Sequence, residues 1–287
     1  MNTILPKANT ANSPREASPL LAVENISVRF AGVKALTDVS FSVQPCELFA
    51  VIGPNGAGKT SLFNVLTRVY QPSAGKVTFD GRNLLALKTH QVAPVGIART
   101  FQNLGQFPRT RVLDYLLLGR HIRMRSGILL GGLYLGMTRN EERRNRAYCL
   151  HLLRLLGLDS FRDSALGSLP YGMQKRADLA RALAQEPKLL LLDEPVAGMS
   201  LNETEDMASV ILDVKEQLGV TQILVEHDMA LVMGIADRVL VLDFGRTIAQ
   251  GLPAEVQANP DVIKAYLGEE FRLPTSENEV IQVDTNG

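Results

Sequence analysis

Net charge is absent from this chain. Its 30 Lys and Arg offset 30 Asp and Glu, so the formal charge at pH 7 is zero. A neutral chain has no global attraction to nucleic acid or to an acidic membrane, and neither is its default partner. Cysteine is scarce: Cys46 and Cys149 are the only two, too few for a disulfide framework, and a pair of free thiols in a reducing compartment is the simpler reading. No run approaches the ~20 apolar residues that span a bilayer. The nearest, Ile128 to Met137, is short and broken by Gly131, Gly132 and Gly136. Residues 1–19 lack the apolar block of a signal peptide and read as a polar, disordered leader; residues 271–287 read as a disordered tail. No internal repeat or heptad run is visible. At 287 residues the chain is long enough to bury a real core, as one large domain or two small ones. A cytoplasmic placement follows, with any membrane role exercised through partners.

What is present is alternation. From Leu20 to about Val43, LAVENISVRF and ALTDVSFSV are β-type runs joined at Ala31-Gly32, which predicts an antiparallel flap. ELFAVIG, residues 47–53, is nearly continuously apolar, as in a strand buried on both faces. It leads through a glycine-rich turn to a helix with Leu62, Leu66 and Val69 along one side. Between Gln106 and Leu169 helical periodicity replaces the β signal, with Thr138-x-x-Glu141 as a capping box for a helix to about Leu156. Helix and strand then alternate again: a helix after Gly172, the strand KLLLLD, a helix from about Leu201 to Leu218, the strand TQILVEH, and a hairpin of RVLVLD and RTIAQ turning at Phe244-Gly245. Such an order implies an α/β fold, a mostly parallel sheet covered by helices and interrupted by a helical insert at about 106–169.

Gly53-Pro54-Asn55-Gly56-Ala57-Gly58-Lys59-Thr60 fits G-x-x-x-x-G-K-[ST] between a strand and a helix. Glycines let the backbone wrap a phosphate chain, while N–H groups of the loop and first helical turn point at the anion. Lys59 is placed to bridge the β- and γ-phosphates and the Thr60 hydroxyl to ligate Mg²⁺; Ser61 follows in the first turn. The competing reading, a glycine turn without ligand, does not need the strand before and the helix after. In KLLLLDE, Asp193 emerges at the carboxyl end of a buried strand, where ligands sit in such sheets. One carboxylate there suits a magnesium shell, and Glu194 is placed to polarise a water for in-line attack on the γ-phosphate. A buried strand ending in solvated charges is the alternative that Asp193 and Glu194 alone leave open.

Phe30, GPNGAGKT, Gln102 in RTFQ, LPYGMQKR, LLLLDEP and His227 in VEHDM follow one another in the order and approximate spacing of ATP-binding-cassette (ABC) ATPase subunits, which residues 20–270 therefore resemble. The resemblance implies a P-loop NTPase of RecA-like type carrying an antiparallel β flap and an inserted helical subdomain. It makes Phe30 the aromatic that stacks on adenine, although an ordinary strand aromatic would look the same. It makes Gln102 the lever whose amide reaches metal or water, and His227 the sensor of the γ-phosphate. Leu169-Pro170-Tyr171-Gly172-Met173 stands where the family carries LSGGQ, the helix start that meets the γ-phosphate held by the opposite subunit. Pro170 supplies neither hydroxyl nor N–H, so donors must come from the backbones of Tyr171, Gly172 and Met173. Ser200, where many relatives have Asp, forms a capping box with Glu203.

GIARTFQNLGQFP, LPYG, EPVAGMS and the ending NPDVIKAYLGEEF are similar to the ATPase subunits of branched-chain amino-acid importers, with urea or amide importers and a lipid exporter as alternatives inside the family. A soluble ABC ATPase acting on nucleic acid would bring a second cassette or a coiled coil and a basic surface, all missing here. The resemblance implies ATP and Mg²⁺ as ligands and a second, paralogous cassette as partner. It further implies two transmembrane permease subunits, a secreted substrate-binding protein, and a peripheral position on the cytoplasmic face of the membrane. Arg120, Arg123, Arg125, Arg139, Arg143, Arg144 and Arg146 flank the apolar stretch ILLGGLYLGM. Two readings stay open for them: a solvated helix face over a satellite core, or a surface that meets the permease or anionic lipid.

Overall fold

The computed structural model describes residues 18–30, 32–100, 107–123 and 136–270. The leader before residue 18, Gln102, most of the apolar stretch at 128–137 and the tail from 271 lie outside the described residues.

Two sheets stack through a shared layer. A four-stranded antiparallel sheet, in order β2-β1-β4-β5, is built from β1 (Leu21–Phe30), β2 (Val33–Val43), β4 (Ala74–Phe79) and β5 (Arg82–Asn83). This is the expected flap, wider by two strands than LAVENISVRF and ALTDVSFSV alone predict. The second sheet has six strands in the order β10-β9-β3-β8-β7-β6. They are β3 (Leu48–Ile52), β6 (Ile97–Arg99), β7 (Leu189–Asp193), β8 (Thr221–Val225), β9 (Arg238–Asp243) and β10 (Arg246–Gly251). All its pairings are parallel except β9 with β10, the predicted hairpin.

Period-two alternation explains why the central strands read as unbroken apolar runs. Leu48, Ala50, Ile52, Leu190, Leu192 and Leu224 face one core. Phe49, Val51, Leu189, Leu191, Ile223 and Val225 face the other. Both faces are covered, so every position must be apolar, and each buried Leu, Ile, Val or Phe contributes roughly 1.5–3 kcal/mol. The first core is closed by α3 (Val112–Arg120), α4 (Gly136–Leu155), α5 (Tyr171–Leu183) and α6 (Leu201–Leu218), with α3 packed on both α4 and α5. The second is closed by the flap and by α1 (Lys59–Leu66). Shorter helices are α2 (Thr89–Val95), α7 (Met229–Ile235), α8 (Pro253–Gln257) and α9 (Pro260–Glu270).

Several local expectations need correction. Helix α1 stops at Leu66, so Val69 lies beyond it and is 57% exposed rather than part of the buried side. Helix α4 begins at Gly136, which puts Thr138 inside the first turn instead of at the cap. Arg120 and Arg123 belong to no solvated face. Buried Arg120 donates to Asn145 Oδ1 and the Ala184 carbonyl, and Arg123 to the carbonyls of Gln185 and Glu186; they bolt α3 to the end of α5. Arg143, Arg144 and Arg146 are exposed, while the side chains of Arg125 and Arg139 lie outside the described residues. Ser200 does cap α6: its hydroxyl accepts from Glu203 N–H, and Glu203 Oε2 accepts from Ser200 N–H at 3.0 Å. Both cysteines are free thiols, and burial pushes the Cys149 thiol up to about 11.

Among the described residues no helix is long and apolar enough to cross a membrane.

Candidate functional site

The loop from Gly53 to Gly58 leaves β3 and enters α1 along a path only glycine permits at two points. Gly53 has φ +146°, and a Cβ there would lie 2.0 Å from the Leu242 carbonyl oxygen. Gly58, the residue before α1, sits at φ +103° with the Ala35 carbonyl 2.6 Å from where its Cβ would be. Gly58 offers no side chain to cap α1, so the N–H groups of that first turn stay available to an anion. Lys59 is 8% exposed; its ammonium donates to the carbonyls of Gly53 and Pro54, folded over the loop it belongs to. Thr60 is exposed beside it.

Asp193 ends β7 and is 1% exposed. Its Oδ2 accepts from Arg99 Nη2 at 2.5 Å, its backbone N–H donates to Thr100 Oγ1 at 3.2 Å, and its Oδ1 is buried without a hydrogen-bond partner among the described residues. Glu194 follows in the left-handed region, φ 47°, which costs a side-chain-bearing residue about 1 kcal/mol. The Val225 carbonyl holds its N–H at 2.9 Å, and Lys175 of α5 holds its carbonyl at 3.2 Å. A backbone pinned in a costly conformation at a strand end is common where a side chain must be aimed.

Gly53, Asn55, Glu194 and His227 line one open cleft of about 330 Å³, together with Tyr266 of α9. Four of the sequence-predicted residues thus meet. Others do not line this cleft. Asp193 is not among its walls. Phe30, at the end of β1, is 42% exposed with its ring edge-on to Tyr70, centroids 4.7 Å apart. Leu169 to Met173 belong to the start of α5, where Pro170 occupies the cap position with no side-chain bond and Tyr171 is 45% exposed. A carboxylate of the same chain already stands at that helix start: a Cβ on Gly172 would come within 2.9 Å of Glu203 Oε1. Bonds to Ser200 and then to Gly172 hold the Glu203 pKa below the ordinary carboxylate value.

Sequence reasoning missed two residues here. Tyr266 reaches the cleft from the C-terminal helix. Glu226, fully buried between β8 and His227, accepts the Val196 N–H at 3.0 Å and the His227 N–H at 3.1 Å. It ties the loop after Glu194 to the loop that presents His227. Burial is the dominant influence and raises the Glu226 pKa; the two backbone bonds pull it down, and Glu194 pushes it further up. A folded pKa above the unfolded one means the native state binds the proton more tightly, so the stability gained is complete below the unfolded value, about 4.3, and is lost as pH rises through the folded value. Glu226→Gln imitates the protonated acid. Wild type should therefore gain melting temperature on the variant as pH falls from about 7.5 to about 5, by differential scanning calorimetry. A constant difference would mean that Glu226 titrates as an ordinary carboxylate.

A phosphate-binding loop at the carboxyl edge of a mostly parallel sheet, with two carboxylates ending the strand that lies two places away, places this molecule in the class of P-loop nucleoside triphosphatases. Comparison with known proteins narrows the class. The ABC transporter family profile matches residues 36–197, and a profile for branched-chain amino acid ATP-binding cassette transporters matches residues 246–272. The high-affinity branched-chain amino acid transport ATP-binding protein BraF of Pseudomonas aeruginosa is 39% identical over 251 residues, 88% of this chain and 98% of that protein. LivG of Escherichia coli K12, described in the same words, is 37% identical over 253 residues, 88% and 99% of the two chains. The crystal structure of the ADP conformation of MJ1267, an ATP-binding cassette of an ABC transporter, matches with a TM-score of 0.77 at 30% identity over 88% of this chain and 100% of that one. The chain belongs to the ABC transporter family, as an ATP-binding cassette whose ATP hydrolysis is coupled to transport.

Proposed function

We propose that this cassette powers uptake of branched-chain amino acids through separate permease subunits, docked peripherally on the cytoplasmic side of the membrane. The observation that carries the cargo is the likeness to BraF and LivG over nearly their whole length, joined by the match at 246–272. That C-terminal segment includes Tyr266, one wall of the nucleotide cleft.

In the proposed cycle the loop from Gly53 to Ser61 wraps the phosphates of ATP, and Lys59 turns from its own loop carbonyls to the β- and γ-phosphate oxygens. The residues present fit Mg²⁺: a hydroxyl on Thr60 and a buried Asp193 oxygen with no hydrogen-bond partner among the described residues suit a hard cation. Bound there, Mg²⁺ would neutralise phosphate charge, and Gln102 would complete its surroundings. Among the described residues no cluster of three or more His, Cys, Asp or Glu offers an all-protein metal cage, consistent with a cation held largely by phosphate and water. Glu194 accepts a proton from the attacking water, and His227 donates to the γ-phosphate. Phe30 supports the adenine. Leu169 to Met173 serve the nucleotide of a second cassette, a paralogue in this reading, and a secreted binding protein delivers cargo to the permeases.

Uptake of labelled leucine, isoleucine and valine by cells lacking this gene tests the cargo. Wild type should restore it and Glu194→Gln should not. Unchanged uptake of all three on deletion, with loss of urea or amide uptake, would contradict the reading.

A further inference from the structure

The guanidinium of Arg99 joins two parts of the phosphate machinery. Arg99 ends β6, the edge strand, paired with Leu191 of β7. Its Nη2 donates to Asp193 Oδ2 at 2.5 Å, and its Nη1 donates to Asn64 Oδ1 of α1 at 2.8 Å, with the guanidinium 5.5 Å from the centre of the Phe63 ring. One planar fork thus grips the aspartate of β7 and the helix that leaves the phosphate loop. The backbone of Arg99 is gripped in turn: its carbonyl accepts from Arg181 Nη2 of α5 at 3.1 Å. Arg181 Nε donates to Asp178 Oδ1 at 2.8 Å, and the Tyr115 hydroxyl of α3 donates to the same oxygen at 2.9 Å. Asp178 and Asp193 are each 1% exposed.

Neutralising a buried carboxylate requires only a nearby cation. More than that is present here. Arg99 engages one oxygen of Asp193 and leaves Oδ1 buried with no hydrogen-bond partner among the described residues. A carboxylate held through one oxygen by a guanidinium that is itself anchored elsewhere has its other oxygen aimed. The helix whose N-terminal turn is Tyr171 to Gln174 holds the strand end that does the fixing.

We propose that Arg99 is a positioning residue: it aims Asp193 Oδ1 at the phosphate site and keeps α1 in register with it, while Arg181 transmits the placement of α5 to that aim. This deepens the nucleotide-site reading above and rests on it. Lysine keeps the positive charge but is a point donor that cannot hold Asp193 and Asn64 as one rigid fork. Arg99→Lys separates aiming from charge neutralisation.

The test titrates Mg²⁺ into full-length protein with a fluorescent ATP analogue, beside a titration of the analogue in EDTA. In Arg99→Lys, affinity in EDTA should stay within about twofold of wild type, while the Mg²⁺ concentration for half-maximal enhancement rises about tenfold, the scale for groups that orient a metal ligand. Asn64→Ala, which removes the other anchor of the fork and leaves the Arg99–Asp193 pair, should shift the midpoint the same way by less and serves if Arg99→Lys fails to fold. Arg181→Lys should also raise it, and its effect should not add to that of Arg99→Lys, because both act through one carboxylate. An unchanged or lowered midpoint in Arg99→Lys and Asn64→Ala, or full additivity with Arg181→Lys, overturns the proposal. If wild type itself shows no Mg²⁺-dependent binding, the nucleotide-site reading fails instead.

Discussion

Lys59→Ala should lose at least ~2 kcal/mol of ATP binding, about thirtyfold in Kd, the lower end of what truncating a buried charge partner costs. The expectation rests on where the ammonium is. Lys59 is nearly buried, and its charge is held by two carbonyls of its own loop, so its desolvation is already met in the folded protein. Turning toward phosphate exchanges a charge–dipole bond to a carbonyl for a charge–charge contact with an anion, which is the stronger interaction where water is largely excluded. Alanine leaves the loop's N–H donors to face the triphosphate without a cation. Isothermal titration with ATP measures the loss, and nucleotide-free melting confirms that the variant folds. Affinity within about threefold of wild type would mean that Lys59 serves the loop's shape and not its ligand.

Much of this site is legible in the sequence because it is local. The strand, glycine loop and Lys59 are contiguous, and their conformation follows from what glycine permits and what an anion requires. Asp193 and Glu194 were readable because a strand buried on both faces has no other polar residue. The central sheet was readable for the same reason: LFAVI and LLLLD alternate between two cores, so neither needed a polar face.

What escaped is long-range or weakly apolar. Strand β4 begins with exposed Ala74, Gly75 and Lys76 and buries only Val77 and Phe79 among its residues, too little for a period to register. Strand β6 is three residues long, and α2 contains Pro94. Glu226 reaches Val196, 30 residues away, and Arg99 reaches Asp193, 94 away; no spacing rule links such pairs. A signal did exist for Glu226, an acid directly after an apolar strand, the pattern that marks Asp193. In VEHDM the adjacent histidine is the stronger signal. Val69 and Thr138 misled because a helix period continues on paper past the point where packing ends it.

In the proposed cycle the site is completed by a second cassette. Asn55, Glu194 and His227 line the cleft, while no residue from Leu169 to Met173 does. The start of α5, where Glu203 already engages Gly172, in that cycle meets the phosphate held by the second cassette. Glu194→Gln should slow phosphate release by about 10²–10⁴-fold, the usual worth of a general base. With hydrolysis stopped and ATP saturating, two cassettes should stay joined.

The decisive measurement is cross-linking in the Glu194→Gln background, with exposed Cys46 replaced by serine. A chain carrying Tyr171→Cys is mixed with an Asn55→Cys copy, or with its paralogue bearing cysteine at the matching loop position. ATP should yield an inter-subunit link that is lost without nucleotide. Absence of that link with both partners, under saturating ATP, would contradict the shared nucleotide on which this account is built.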